Sequence, residues 1–574
     1  SNYYKRSNYM SNIKNPFHRH LSSLVNMERE GAYYPPKINE EFDDDEIKNN
    51  NDNNSDCKDD QKGNNNDSVL NIDYSFTINE PVLVKAIKIG YPNITIKTED
   101  FQQGRKAKID KTTSVVDLQW TGRHGTKGFL GRMQFVQSWC VVGNDFRAIN
   151  KVMNTWEAYL SMRNFGANFA KPNSFRVNNL LNSNEYRELE RYELIVLILP
   201  NNIASEIKAK FTRFCQINNN MQLQCILSSN AFNKNAVLGM FEDMLGKLGN
   251  VLFRIDPNIK VRNKNEKLIN TDSLWVYGLD VSHNIGKPST AVLILQTQPF
   301  NGSKRGIYSM AHLNKKRRQI VGYQQMTTLV FESLKNAFND KKLINGNAKY
   351  LPKQIYIFRS GLPDNNIRES FSKEVVGFQR AIEIFSKQLI KSKKLATKWK
   401  PKIVFIVCCL NINDRFGIIN GQHSNIKYIQ EPCIIYNAIT SCRIWDFILY
   451  PFTPKKLKTP ERVKPMRCIV LKDDIGFTSI NNINAPLQLY KFVHSLLYTY
   501  AFAIPFLTGG TTEPAPLKYA SHYAETFSQL ILNTDKNLND IKINQEIKHK
   551  PQIIDRFLKT KAKAPDSVQK AIDN

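Results

Sequence analysis

What this sequence lacks narrows it first. None of its nine cysteines forms a C-x-x-C pair, which argues against a zinc centre or a disulfide framework and fits a reducing compartment. No stretch approaches the roughly 18 apolar residues of a membrane-crossing helix, and none has the flanks of a secretory signal. The expected location is therefore cytoplasmic, nuclear or both, not secreted. No repeat period is visible. Acid is the scarce charge: 52 Asp and Glu stand against 80 Lys and Arg, leaving +28 over 574 residues. That excess points to a polyanionic partner, nucleic acid first, because phosphate contacts need clustered Lys and Arg. A chain-wide bias to Asn, Lys and Ile is the competing source of the lysines.

An apolar content of 41% is enough for buried cores, and the length suggests three or four units of about 150 residues. Residues 43–68, rich in Asn and Asp, carry almost no apolar side chains and read as a disordered insertion. Strand patterns follow in YSFTIN, VLVKAIKI and NITIKT. From about residue 192 strands and helices alternate, which argues for mixed or parallel sheets covered by helices. ELIVLILP reads as a strand, 203–214 as a helix, LQCILSS as a strand and NAVLGMFEDMLGKLG as a helix. Further strands are expected at VYGLDVS, AVLILQT, IYSMAHL, IYIFRS, KIVFIVCCL and MRCIVLKD, with helices near 322–338, 366–391 and LQLYKFVHSLLYTYAF. Two basic runs, Lys315–Arg318 and the lysine-rich stretch Lys391–Lys402, suit either phosphates or solvated turns.

Two strand ends carry the chemistry. WVYGLDVSH ends a strand with Asp280, and IYIFRSGLPD breaks at Ser360. Two strands each delivering an acid to one sheet edge would suggest a two-metal nuclease. Here the first delivers an aspartate and the second a serine.

Taken in order, the motifs resemble the C-terminal half of the Argonaute/Piwi family, and within it the Piwi clade. QSWCVVGNDFRAINKVMNTW resembles the entry to that family's MID domain; ELIVLILP, IKAKF and LQC resemble its strand, helix and strand; GKLGNVLFRID resembles its close. GLDVSH, IYIFRSGLPD, KIVFIVCC, CIVLKDDIGFT, LYKFVHSLLYTY and EPAPLKYASHYAE resemble successive PIWI motifs. Singly these are weak; their order over roughly residues 70–530 is specific. The resemblance implies an α/β fold: a Rossmann-like MID domain, then an RNase H-like PIWI domain, preceded by a linker region. The expected divisions are 1–42 as a PAZ or linker remnant, 43–68 as the insertion, 69–135 as linker, 136–258 as MID, and 259–574 as PIWI with an extended tail. On this expectation the family's N-terminal domain and most or all of its PAZ domain are absent or precede residue 1, with residues 1–42 as what remains.

The family's cleavage chemistry uses two magnesium ions held by four side chains, because a small hard cation wants anionic oxygens. Carried over by the resemblance, Asp280 keeps the first position. The loop before helix 322–338, RRQIVGYQQ, contains no acid for the second. Glu332 falls well inside that helix, where it is expected to face solvent. Ser360 stands at the third place and Ser521 at the fourth. A one-residue register shift would bring His522 there instead, although one residue turns a helical side chain by about 100°. Asp364 reads as a turn aspartate. Asp280 is then either a turn acid kept by packing or a weak single-metal ligand. No cofactor is required on this reading, with Mg2+ at low occupancy as its limit. For the guide's 5′ phosphate, the resemblance carries over Lys208, Gln224 and Lys247, with charge-assisted hydrogen bonds to a dianion as the physics. Ala204 stands where an aromatic or polar residue is usual, and Asp243 brings negative charge near Lys247. Arg415 is what remains of a basic triplet.

The first functional expectation is a protein that binds a small single-stranded guide RNA in silencing, without target cleavage, as a monomer within a complex of silencing proteins and without a membrane partner. The second is a guide-free MID–PIWI scaffold that recruits protein partners. The third is an active slicer endoribonuclease. The site departures favour the first two.

Overall fold

The computed structural model describes residues 83–102, 105–114, 138–163, 171–180, 188–202, 204–212, 214–215, 221–247, 253–257, 267–283, 289–300, 306–314, 319–340, 344–410, 416–419, 426–429, 431–436, 444–451, 465–477, 484–500 and 510–532, with two isolated positions and the backbone of two short strands, Tyr3–Arg6 and Ile553–Phe557. The segment 43–68, the run Lys315–Arg318, Arg415 and most of the polar tail lie outside the described residues.

Strand β1 (Leu83–Lys88) joins the largest sheet, while β2 (Asn93–Gln102) and β3 (Arg105–Ser114) form a hairpin. A four-stranded unit follows: β4 (Trp139–Gly143), α1 (Phe146–Arg163), β5 (Asn173–Arg176), β6 (Leu194–Leu199), α2 (Ala204–Thr212), β7 (Gln222–Leu227) and α3 (Lys234–Lys247). Its strands are all parallel in the order β5-β4-β6-β7. Every residue of β6, LIVLIL, is buried, as a central parallel strand covered on both faces requires. Leu194, Val196 and Ile198 face a core shared with α1 and α3, whereas Ile195, Leu197 and Leu199 face Ile207 and Phe211 of α2. Asn233 caps α3, its side-chain oxygen accepting from the backbone N–H of Asn235 and Ala236. Strand β8 (Phe253–Asp256) returns to pair with β2.

The large sheet is built by β9 (Leu274–Ser282), β10 (Ser289–Thr297), β11 (Gly306–Asn314), β12 (Gln354–Ser360), β13 (Lys402–Cys409), β14 (Cys433–Ile435), β15 (Asp446–Tyr450) and β16 (Met466–Asp473). Its order is β1-β14-β15-β16-β13-β12-β9-β10-β11, extended by Ile426–Tyr428, Phe416–Ile419 and Tyr3–Arg6 at one edge and Ile553–Phe557 at the other. Three consecutive antiparallel strands (β9, β10, β11) with β12 and β13 added in parallel to β9 give the order 3-2-1-4-5 of an RNase H-like sheet.

Helices cover both faces. On one lie α4 (Tyr323–Asn339) and α5 (Val376–Lys391), packed on Tyr277, Leu279, Ile355 and Ile357. On the other lie α6 (Asn484–Leu496) and α7 (Ala515–Leu532). The expected helix near 366–391 is not uniform: a π turn at Phe371–Val375 precedes α5 and carries Glu374 into the core. The stretch LQLYKFVHSLLYTYAF is helical only to Leu496. Each large apolar side chain buried in these layers contributes about 1.5–3 kcal/mol. The seven described cysteines are free thiols, five of them buried. Among the described residues no helix is long and apolar enough to cross a membrane.

Candidate functional site

The site lies where β9, β12 and β13 end together. Leu279 pairs with Arg359 and Ser360 pairs with Cys408, so Asp280, Ser360 and Cys408 fall side by side, one step past the register pair. Side chains alternate along a strand, and Gly278, two residues before Asp280, marks the face they share. A Cβ on Gly278 would lie 2.1 Å from the Pro516 carbonyl oxygen and 2.5 Å from the Leu517 nitrogen. The first turn of α7 therefore rests directly on β9, and only glycine permits it. Pro514 and Pro516 suit that end, where helical N–H groups have no intrahelical partner to lose.

Asp280 is half-buried, and its carboxylate accepts a hydrogen bond from the Val281 N–H at 2.8 Å. Ser360 is half-buried, and its carbonyl accepts from Arg359 Nη1 at 3.0 Å. Ser521 and His522 are both half-buried on α7, the His522 ring edge-on to Tyr523. Sequence reading missed a second carboxylate. Glu513, just before α7, is 3% exposed, and its pKa is raised above the ordinary value by burial, against the opposing pull of Lys518 and with the negative charge of Asp280 adding to the rise. Lys518 Nζ stands 3.4 Å from the Glu513 carboxylate. Burial, then Cys468, then Glu513 push the Cys408 thiol up. Glu513 thus feels the charge of Asp280 and acts on Cys408, the two residues that flank Ser360. The signal available in sequence was an acid directly before Pro-Ala-Pro, with a lysine five positions later.

The loop before α4, expected to carry the second metal ligand by resemblance, is tied down. Arg359 and Glu374, 2% and 0% exposed, form a buried ion pair at 3.2 Å. Arg359 Nη2 donates to the Gln319 carbonyl, and Glu374 accepts from the Val321 N–H at 3.0 Å and from Ser370 Oγ at 2.7 Å. Glu332, expected to face solvent, is 4% exposed; the buried stripe of the helix is wider than its sequence pattern suggested. Asp364 does not bend toward Asp280. It opens a 3-10 turn and pairs at 3.5 Å with Arg467. As a donor set for two magnesium ions the residues do not fit: a hydroxyl stands at the third place, where the resemblance calls for an aspartate, another at the fourth, where it calls for a histidine or aspartate, and the added carboxylate already holds an ammonium.

The residues carried over for the guide phosphate lie on β7, α2 and α3. Gln224 is buried on β7, its side-chain amide donating to the Cys225 carbonyl at 3.4 Å. Lys208 is half-buried on α2, and Lys247 is the last residue of α3. Helices α2 and α3 cover opposite faces of the sheet, and β7 is its edge strand. Ala204 opens α2 and packs against the core. Half-buried Asp243 lies one turn before Lys247, and its charge, like that of Glu513, helps hold the Tyr500 hydroxyl protonated, after burial and Tyr519. Ala209 of α2 packs with Tyr519, Ala520 and Tyr523 of α7. The two candidate sites are thereby joined through α7.

Residues 194–531 match the Piwi domain family. The chain is 25% identical over 356 residues to protein argonaute 6 of Arabidopsis thaliana, a match covering 58% of this chain and 35% of that protein. The chain therefore spans about a third of that relative's length. Its fold is similar to the crystal structure of Kluyveromyces polysporus Argonaute with a guide RNA, with a TM-score of 0.59 at 14% identity, covering 79% of this chain and 54% of that one. The C-terminal lobe of a budding yeast Argonaute gives a TM-score of 0.58 at 14% identity, covering 79% of this chain and 89% of that one. Drosophila Piwi gives 0.54 at 16% identity, covering 78% and 54%.

Proposed function

This chain belongs to the Piwi-domain family, and on that premise we propose that it holds a small single-stranded guide RNA and silences without cutting its target. What supports guide binding is the net charge of +28, with Lys208 on α2, Gln224 on the edge strand β7 and Lys247 at the end of α3 in one parallel unit. Phosphate binding there would use charge-assisted hydrogen bonds from the two lysines, with the Gln224 amide fixing the orientation. The absence of cleavage is argued from Ser360, a neutral hydroxyl where the family places an aspartate, and Ser521, a hydroxyl where it places a histidine or aspartate. On this reading MID spans 136–258, PIWI spans 259–574, the clade is Piwi, and the partners are silencing proteins around one copy of the chain.

Protein purified from its native source should carry short RNAs of uniform length with a 5′ phosphate. Replacing Lys208 and Lys247 together with glutamate should empty it and flatten the salt dependence of binding to 5′-phosphorylated RNA. Wild-type protein that purifies free of RNA and shows no salt-dependent affinity for such RNA refutes guide binding. Magnesium-dependent cutting of a matched target that vanishes in Asp280→Ala refutes the silent site.

A second reading, a guide-free scaffold for protein partners, is favoured by Ala204 and Asp243. One removes a side chain that could meet the phosphate, and the other sets a like charge beside it.

A further inference from the structure

We propose that Lys518 is the resident cation of the acidic edge: its ammonium, paired with buried Glu513 beside Asp280, supplies the positive charge that a divalent metal would otherwise supply there. This inference concerns the family's metal chemistry and does not depend on guide binding.

The geometry is specific. Gly278 lets α7 begin on top of β9, two residues from Asp280. Lys518 lies in the first turn of that helix, its N–H donating to the Pro514 carbonyl at 2.9 Å. Helical side chains tilt toward the N-terminus, so the Lys518 stem runs back to Glu513, where Nζ closes the pair at 3.4 Å. Thr511 fastens the preceding loop, its hydroxyl held between the Leu497 and Glu513 carbonyls at 2.8 and 2.6 Å. Glu513 also sits at the positive end of α7, which favours its charged form. A carboxylate this deeply buried needs a cation, and Lys518 is the cation paired to it. Asp280, Glu513 and Lys518 together leave one net negative charge, too little to gather two divalent ions. One metal would have to break the Glu513–Lys518 pair to gain its second carboxylate.

The test uses the full chain, freed of nucleic acid by nuclease and high salt, with Mn2+ as probe. Thermal unfolding and Mn2+ electron paramagnetic resonance are read for wild type, Lys518→Met, Lys518→Arg and the double variant Asp280→Asn/Lys518→Met. Wild type and Lys518→Arg should show no Mn2+-dependent rise in Tm and no bound-Mn2+ signal. Lys518→Met should melt about 2–4 °C lower in EDTA, recover with Mn2+ and gain a bound-Mn2+ signal that the double variant lacks. Asp280-dependent Mn2+ binding by wild type overturns the proposal. So does a Lys518→Met protein that Mn2+ neither binds nor stabilises. If Lys518→Met does not fold, Lys518→Arg and wild type decide the matter: Mn2+ binding by either sinks it, and silence in both with a folded Lys518→Arg supports it.

Discussion

Replacing Arg359 with leucine should cost this fold about 3–5 kcal/mol, the penalty for removing one member of a buried ion pair. The structure gives the reason bond by bond. Arg359 donates through Nε to both Glu374 oxygens at 3.2 Å, through Nη1 to the Ser360 carbonyl at 3.0 Å, and through Nη2 to the Gln319 carbonyl. Leucine deletes all of these and leaves a fully buried carboxylate with only two neutral donors, the Val321 N–H and Ser370 Oγ. Against a typical total of about 5–15 kcal/mol, that loss is large enough to read directly. Equilibrium urea unfolding measures it. Hydrogen exchange of 319–322 should speed up in the same variant, because that loop loses its anchor. Glu374→Leu should also destabilise, and the double variant Arg359→Leu/Glu374→Leu should lose less than the sum, with a coupling of about 0.5–3 kcal/mol. An Arg359→Leu protein within about 0.5 kcal/mol of wild type, the range of an ordinary surface change, would refute the reasoning.

Gly278→Ala places a Cβ 2.1 Å from backbone oxygen, so urea unfolding should report a loss of at least about 1–3 kcal/mol; an unchanged midpoint would mean that α7 does not rest on β9. His494 is fully buried against Tyr91 and Tyr498, both ring nitrogens lack a hydrogen-bond partner among the described residues, and burial lowers its pKa from 6.5 to about 3. The unfolded chain therefore takes up a proton that the folded one refuses, and stability falls as pH drops from 6.5 toward 3, by up to about 1.4 kcal/mol per pH unit. His494→Phe should remove that part of the acid sensitivity, and stability–pH curves of equal slope for both proteins would contradict it. Asp446 is buried and pairs with Arg467 at 2.7 Å. Asp446→Ala should lower Tm markedly, whereas Asp364→Ala, which removes an exposed partner of the same arginine, should leave it nearly unchanged.

Much of the architecture was legible because hydrophobic periodicity is a local record of burial. The runs LIVLIL and LWVYGLDVS are apolar at nearly every position, which only a strand covered on both faces tolerates. Their alternation with helices was enough to anticipate mixed or parallel sheets covered by helices, and the RNase H-like sheet was anticipated only through the resemblance to the Argonaute/Piwi family. What failed was also local. The Phe371–Val375 turn carries no signal distinguishing π from α geometry. Glu332 gave no sign that α4 is covered on more than one side.

The sequence by itself determined which side chains end the strands: Asp280 on one, Ser360 on its parallel neighbour, and no acid in the loop before α4. Residue identity at a strand end is fixed once the strand is recognised. Only the tertiary structure decided what those side chains face. Gly278 admits α7 onto the sheet, Glu513 just before α7 comes near enough to feel the charge of Asp280 and pairs with Lys518 of α7, and the Arg359–Glu374 pair pins the loop at Gln319 and Val321. Each of these is an approach between segments distant in the chain, set by steric fit and by the need of buried charges for partners. Local pattern does not encode either.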